Sequence, residues 1–293
     1  MPIKPLVTPV VESREKILQS LGRLPPFSPV LNRVLASVSR EDISFAEISD
    51  QIESDTVLAG NILRIVNSAM YGRRGTVNSV RHAVSMLGIN KLRNAVLSMS
   101  IARMWRSVRT PAGWSMARFN LHSVSVAILC DVLAQQVRVE YAEGAFIAGL
   151  LHDVGHLLIA VALPNDYLDA EKLYGLCGRT WCECEMEIFG FTHAEISAQA
   201  LAVWNLPEPI RTAVGEHHSI EWNTALAGRS PISLSTLVYA ADQYVRHTGT
   251  AIHANYVQED APNPQPFLTF AGEKAESLLE TWTNEVKAVS AFF

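Results

Sequence analysis

The sequence predicts an all-α protein of two packed helical subdomains. Three observations carry this. Nearly every segment of the 293-residue chain repeats its apolar residues with helical period, strand-like alternation is scarce, and no Asn-Gly or Asp-Gly hairpin signal occurs. Hydrophobic residues make up 48% and charged residues 18%, which is a globular rather than a disordered composition. The length is enough to bury a substantial core.

In the first half, Glu12–Leu21 reads as a short helix. Leu24-Pro25-Pro26-Phe27-Ser28-Pro29 breaks the chain, and Val30, Val34 and Val38 restart an apolar stripe. Ser44 and Glu47 form a capping-box pattern that opens a helix through Ile52. Ser54–Asn67 follows, with Leu58, Ile62, Ile65 and Val66 on one face. Ser79–Leu87 is a further helix, stopped by Gly88, where positive φ is least unfavourable, and Asn90–Trp105 continues the pattern. Pro111-Ala112-Gly113 marks the break between subdomains, which puts residues 12–110 in one and 111–293 in the other.

The second half reads as helices over Met116–Gln136, Ala145–Leu163, Asp166–Phe189, His193–Trp204, Glu208–His217, Leu234–His247 and Glu273–Val289. Gly249–Gln265 is the least structured stretch. Ala145–Leu163 is apolar enough to suggest a membrane span, but His152, Asp153 and His156 sit in its middle. An Asp at mid-bilayer costs roughly 3 kcal/mol on insertion scales, so a buried helix is the better reading. No signal peptide is evident, and the cytoplasm is the expected location. The net charge of −5 and the scatter of Arg73, Arg74, Arg81, Lys91 and Arg93 give no reason to expect nucleic acid as a partner. Cys130, Cys177, Cys182 and Cys184 lack zinc-site spacing and read as reduced thiols.

The chemistry gathers around His152-Asp153. A carboxylate inside an apolar helix needs a compensating cation or hydrogen-bond network. Further ligand-type residues recur on separate helices: His122, His193, the pair His217-His218, and Asp242. A helical bundle can direct one or two such side chains from each helix into one central site. Five imidazoles with two carboxylates suit one or two divalent transition metals such as Fe, Mn, Ni or Zn. A buried histidine–carboxylate network without metal is the alternative. His156, His247, His82 and His253 read as surface or core histidines.

Leu151–Gly155 (LHDVG) resembles the signature of the HD phosphohydrolase superfamily, and the order H…HD…H…HH…D resembles the metal set of its HD-GYP branch. The resemblance implies one metal held by His122, His152, Asp153 and Asp242. It implies a second held by His193, His217 and His218, with Asp153 as the bridging carboxylate. Leu24–Pro29, Ile48…Asp55, Leu63–Gly72, Ala83–Gly88 and Gly149–Gly155 together resemble the HDOD (HD-related output) domain across roughly residues 20–218. That resemblance implies an HD-type helical bundle in the C-terminal subdomain. It also implies a bacterial-type signalling output acting through signalling proteins or cyclic nucleotides, with metal-dependent phosphodiester hydrolysis as the alternative. Asn67 and Tyr71, in the segment most typical of HDOD, are candidates for a partner or ligand surface. Two features depart from the hydrolytic branch. His156 stands where a lysine commonly follows HD-x-G, and no Gly-Tyr-Pro follows His193, which argues against cyclic di-GMP hydrolysis.

Overall fold

The computed structural model describes residues 10–23, 31, 49, 50, 52–67, 77–223, 228, 230–253, 260–290 and 292. In chain order its helices are α1 (Val10–Ser20), α2 (Thr56–Val66), α3 (Val80–Leu87), α4 (Ile89–Trp105), α5 (Met116–Ala134), α6 (Ala145–Leu151), α7 (Val154–Ala162), α8 (Pro164–Cys177), α9 (Trp181–Phe189), α10 (His193–Val203), α11 (Glu208–Glu216), α12 (Leu234–His247), α13 (Gln265–Ala271) and α14 (Ala275–Ser290). Among the described residues there is no strand, only the isolated parallel bridge Val139–Ile232. The protein is all-α, as its periodicity predicts.

Contacts group the chain into two compact units, residues 1–24 with 108–273 and residues 25–107 with 274–293. The crossing at Ser107–Val108 lies close to the expected break at residue 111, but the chain ends are grouped otherwise than expected. Helix α1 packs on α7 and α10 of the larger unit, burying Ile17 and pairing Arg14 with Glu195. Helix α14 packs on α4 of the smaller unit, where Glu285 pairs with Lys91 at 2.7 Å. An amphipathic terminal helix declares that it needs an apolar surface, but its own sequence does not say which one.

In the smaller unit, α2 buries Leu58, Ile62, Ile65 and Val66, the face read from sequence. Asp55 caps it, its Oδ1 accepting from the Val57 and Leu58 amides at 3.1 Å each. Gly88 has φ 76°, as its stop signal predicts. Asn67 donates from Nδ2 to the Leu63 and Val77 carbonyls and accepts the Val77 N–H at 2.7 Å. Its amide is thus committed to backbone hydrogen bonds. Tyr71 and the Ser44–Glu47 capping box lie outside the described residues.

In the larger unit, α5 packs on α6 and α12, and α7 packs on α10. The spans Met116–Ala134 and Ala142–Ala162 are long and apolar enough to cross a membrane, yet their most apolar windows are 72% and 89% buried within the fold. They serve here as core helices. Two expected helices are divided. Ala145–Leu163 is interrupted at His152-Asp153. Asp166–Phe189 is split by Gly178, in the left-handed region at φ 63°, and by a capping box of Thr180 with Glu183. Helix α13 begins at Gln265, where the stretch expected to be least structured ends, in a segment with no helix predicted from sequence. Its short length leaves few residues from which a period can be read.

Gly155 lets α7 approach α10. A Cβ built there would fall 2.0 Å from the His193 carbonyl oxygen, while the Gly155 N–H donates to Ser197 Oγ at 2.7 Å. Gly155→Ala is therefore expected to destabilise the protein by about 3 kcal/mol in urea unfolding. Gly175→Ala, on α8 with nothing near its added methyl, is expected to be neutral or stabilising by up to ~1 kcal/mol.

Candidate metal centre

The seven predicted side chains converge. His122 and Asp242 project from within α5 and α12. His152 and Asp153 form the break between α6 and α7, His193 opens α10, and His217-His218 directly follow α11. The Asp153 carboxylate divides them. Its Oδ2 lies 3.3 Å from His122 Nε2 and 3.2 Å from His152 Nε2. Its Oδ1 lies 3.2 Å from His193 Nε2 and 3.5 Å from His217 Nε2. Asp242 Oδ1 joins the first group, 3.3 Å from His122 Nε2 and 3.8 Å from His152 Nε2. His218 joins the second, its Nε2 3.0 Å from that of His193. All but His218, which is exposed, are buried.

Helix ends orient the imidazoles. The last carbonyls of a helix have no intrahelical partner. His152 Nδ1 donates to the Gly149 carbonyl at 2.8 Å, and His217 Nδ1 to that of Val214 at 2.7 Å, each three residues back. His122 Nδ1 donates to the Thr250 carbonyl at 2.9 Å. Because a carbonyl only accepts, Nδ1 carries the proton in each ring, and Nε2 faces the cluster with a lone pair when the ring is neutral.

Glu185 does the same for His193, and sequence reasoning missed it. Its Oε2 accepts from His193 Nδ1 at 2.7 Å and from the His193 backbone N–H at 2.9 Å, and its Oε1 accepts from Trp181 Nε1 at 2.8 Å. The side chain is fully buried. A signal was present: Trp181, Cys184, Glu185 and Phe189 form the buried stripe of α9, so a carboxylate falls at an apolar position. The sequence reading also set His156 and His253 aside. The structure puts both on a cavity of about 270 Å³, which is also lined by His122, Asp153, His193, His218 and Asp242. His82 and His247 are exposed. Cys130, Cys182 and Cys184 are free thiols, as expected.

The electrostatics are those of buried anions seeking a cation. Burial alone would raise Asp153, but the His152 charge and the close imidazoles of His122, His152 and His193 hold it well below the usual carboxylate range. Asp242 is lowered by His122, His152 and Arg246, again against burial. Burial would lower His152 and His193, yet Asp153 and Asp242 lift the first to about 10, and Glu185 with Asp153 lifts the second to about 10. Burial, with repulsion from His152 and His193, lowers His217. Asp153 Oδ1, Asp242 Oδ1 and His217 Nε2 are buried without a hydrogen-bond partner. Once His152 and His193 release their Nε2 protons, the lone pairs converge on a mixed imidazole and carboxylate donor set that fits a divalent transition metal. Among the described residues three groups have ligand atoms close enough together to hold an ion: Asp153-His193-His217-His218, His122-His152-Asp153 and His156-Glu185-His193.

The chain matches the HDOD domain over residues 24–220 and belongs to that family. It is similar to a crystal structure of an HDOD domain protein of unknown function from Geobacter sulfurreducens, with TM-score 0.73, 22% identity, and 97% of this chain and 99% of that one covered. It is similar to a provisionally named signal transduction protein from Marinobacter aquaeolei VT8, with TM-score 0.70, 19% identity and coverage of 99% and 67%. A third similar structure is a provisionally named phosphohydrolase from Shewanella amazonensis SB2B, with TM-score 0.66, 22% identity and coverage of 94% and 98%. At these identities the likeness is one of fold. An uncharacterised protein of Treponema pallidum (strain Nichols) is 23% identical over 207 residues, and the match spans 70% of this chain but 39% of that protein.

Two outcomes are expected of the metal-stripped protein. Glu185→Ala leaves three buried donors unpaired and should cost about 2–5 kcal/mol in unfolding, with a 10- to 100-fold loss of metal affinity. Stability should also fall on both sides of a maximum. The raised His152 and His193 stabilise fully below their ordinary 6.5, and that contribution is lost as pH rises toward about 10. The lowered Asp153 and Asp242 stabilise above their ordinary 3.8, and that is lost on acidification. Burial lowers His156, His217, His218 and His253, so acidification below their ordinary 6.5 also costs stability. Melting temperature should therefore peak near pH 6.5 and fall on both sides, which a pH series of thermal melts checks.

Proposed function

We propose that this chain is a signal-transduction output module whose larger unit holds one or two divalent transition-metal ions facing a small-ligand cavity. The observation that carries this reading is the division of the Asp153 carboxylate between two histidine groups. His122, His152 and Asp242 with Asp153 Oδ2 would hold one ion, and His193, His217 and His218 with Asp153 Oδ1 the other. The Nδ1 anchors on Gly149, Val214, Thr250 and Glu185 keep each Nε2 aimed inward, so the site is preorganised. Fe, Mn, Ni or Zn suits these donors. HDOD membership and the fold shared with a provisionally named signal transduction protein support the signalling role. Signalling proteins or a cyclic nucleotide are the partners this reading proposes, in the cytoplasm.

A second reading is metal-dependent phosphohydrolysis, favoured by one observation: five of the donors line the cavity, so a ligand reaching it would meet them. A divalent ion bound there polarises phosphoryl oxygens and lowers the pKa of water. Asp153, with an oxygen on each side, is the residue that would hold two ions together.

Elemental analysis of protein purified with Fe, Mn and Zn supplied should find one or two ions per chain, and His152→Ala or Asp153→Asn should abolish them. Protein that stays metal-free under those conditions would sink the reading. Metal affinity should rise with pH between roughly 6 and 9, because His152 and His193 must release protons to ligate. Turnover of a phosphomonoester and phosphodiester panel, lost in His152→Ala, would decide for hydrolysis over signalling by binding alone.

A further inference from the structure

We propose that His156 and His253 form a recognition subsite beside the metal donors, which takes the hydroxyl-bearing organic part of a phosphate monoester. This rests on the second reading above, in which bound metal would take the phosphoryl oxygens.

Neither residue belongs to the seven-residue cluster, and both line its cavity. His156 is 4% exposed and its Nδ1 has no hydrogen-bond partner. The neighbouring carboxylate oxygen, Glu185 Oε1, is 3.7 Å away and already accepts from Trp181. His253 Nε2 is likewise buried and unpartnered. A buried polar atom without a partner is unfavourable and rare, and both of these belong to rings that line the cavity. A hydroxyl both donates and accepts, so it matches either imidazole nitrogen in either tautomer, whereas an unprotonated phosphate oxygen only accepts.

The surroundings suit a sugar or a heterocycle. His253 stacks on Trp181 with centroids 3.8 Å apart, and Tyr174 and His156 lie 5.8 and 5.4 Å from His253. These rings offer flat apolar faces to the C–H face of a ligand. The segment bearing His253 is tied to the metal centre: the Thr250 carbonyl accepts from His122, and the Ile252 carbonyl accepts from Arg118 at 3.3 Å. At about 270 Å³ the cavity falls near the small end of ligand pockets, roughly 300–1,000 Å³, which suits one sugar phosphate and not a cyclic dinucleotide.

The test is calorimetry on the full chain loaded with Mn, using methyl phosphate and ribose 5-phosphate as probes. The wild type is expected to bind ribose 5-phosphate about tenfold more tightly than methyl phosphate. His156→Phe and His253→Phe keep the ring stacks and remove the nitrogens. Each should erase most of that preference while leaving metal content and methyl phosphate affinity unchanged. Equal affinity for the two probes in the wild type would overturn the subsite alone. So would variants that weaken both probes equally or lose metal. Failure of either phosphate to bind the metal-loaded wild type would overturn the underlying reading and the subsite with it.

Discussion

The structure turns on one carboxylate. Asp153 is 5% exposed and lies among four imidazoles. An ionised group in that position is tolerable only if positive charge answers it, and the desolvation penalty runs to several kcal/mol otherwise. Asp242 adds a second buried anion, and Glu185 a third carboxylate, each closed in by hydrogen-bond donors or imidazoles. Protons on His152 and His193 can supply the countercharge, and a divalent cation supplies it without those protons. Metal binding and proton release are therefore two sides of one equilibrium at this site.

The helices are cut to serve that geometry. A continuous helix through residues 145–163 would swing successive side chains about 100° apart. The interruption at His152-Asp153 instead lets both approach the same centre. It also frees the carbonyl of Gly149, and the end of α11 frees that of Val214, so chain termination itself provides the acceptors that hold the imidazoles. Gly155 completes the arrangement. The contact it permits between α7 and α10 sets Asp153 against His193.

Beyond the donors, the cavity is built from α8, α9 and the segment after α12. His156 stacks on His193 at 3.8 Å and extends no fixed charge into the cavity. Burial and the charge of His193 hold it well below its ordinary value, so it contributes a neutral polar surface. The only guanidinium lining this cavity among the described residues, Arg246, is paired with Asp260 at 3.0 Å and lies 3.8 Å from Asp242. The cavity thus joins a cation-seeking donor cluster to a wall with little net charge.

The sequence by itself determined the helical class, the apolar face of α2, the glycine stop at Gly88, and the list of side chains able to ligate. These are local properties: period, capping chemistry and residue type are written within a few turns of chain. It also carried the family, through short motifs distributed over both halves. What it could not supply was the orientation of groups brought together from distant segments. Glu185 looked like one more charged residue of a helix until tertiary packing put it behind His193. His156 and His253 gained a shared cavity only when α7, α9 and the chain after α12 met. The pairing of each terminal helix with the opposite half had the same origin. A buried stripe states that a surface must be covered, and only the assembled fold decides by what.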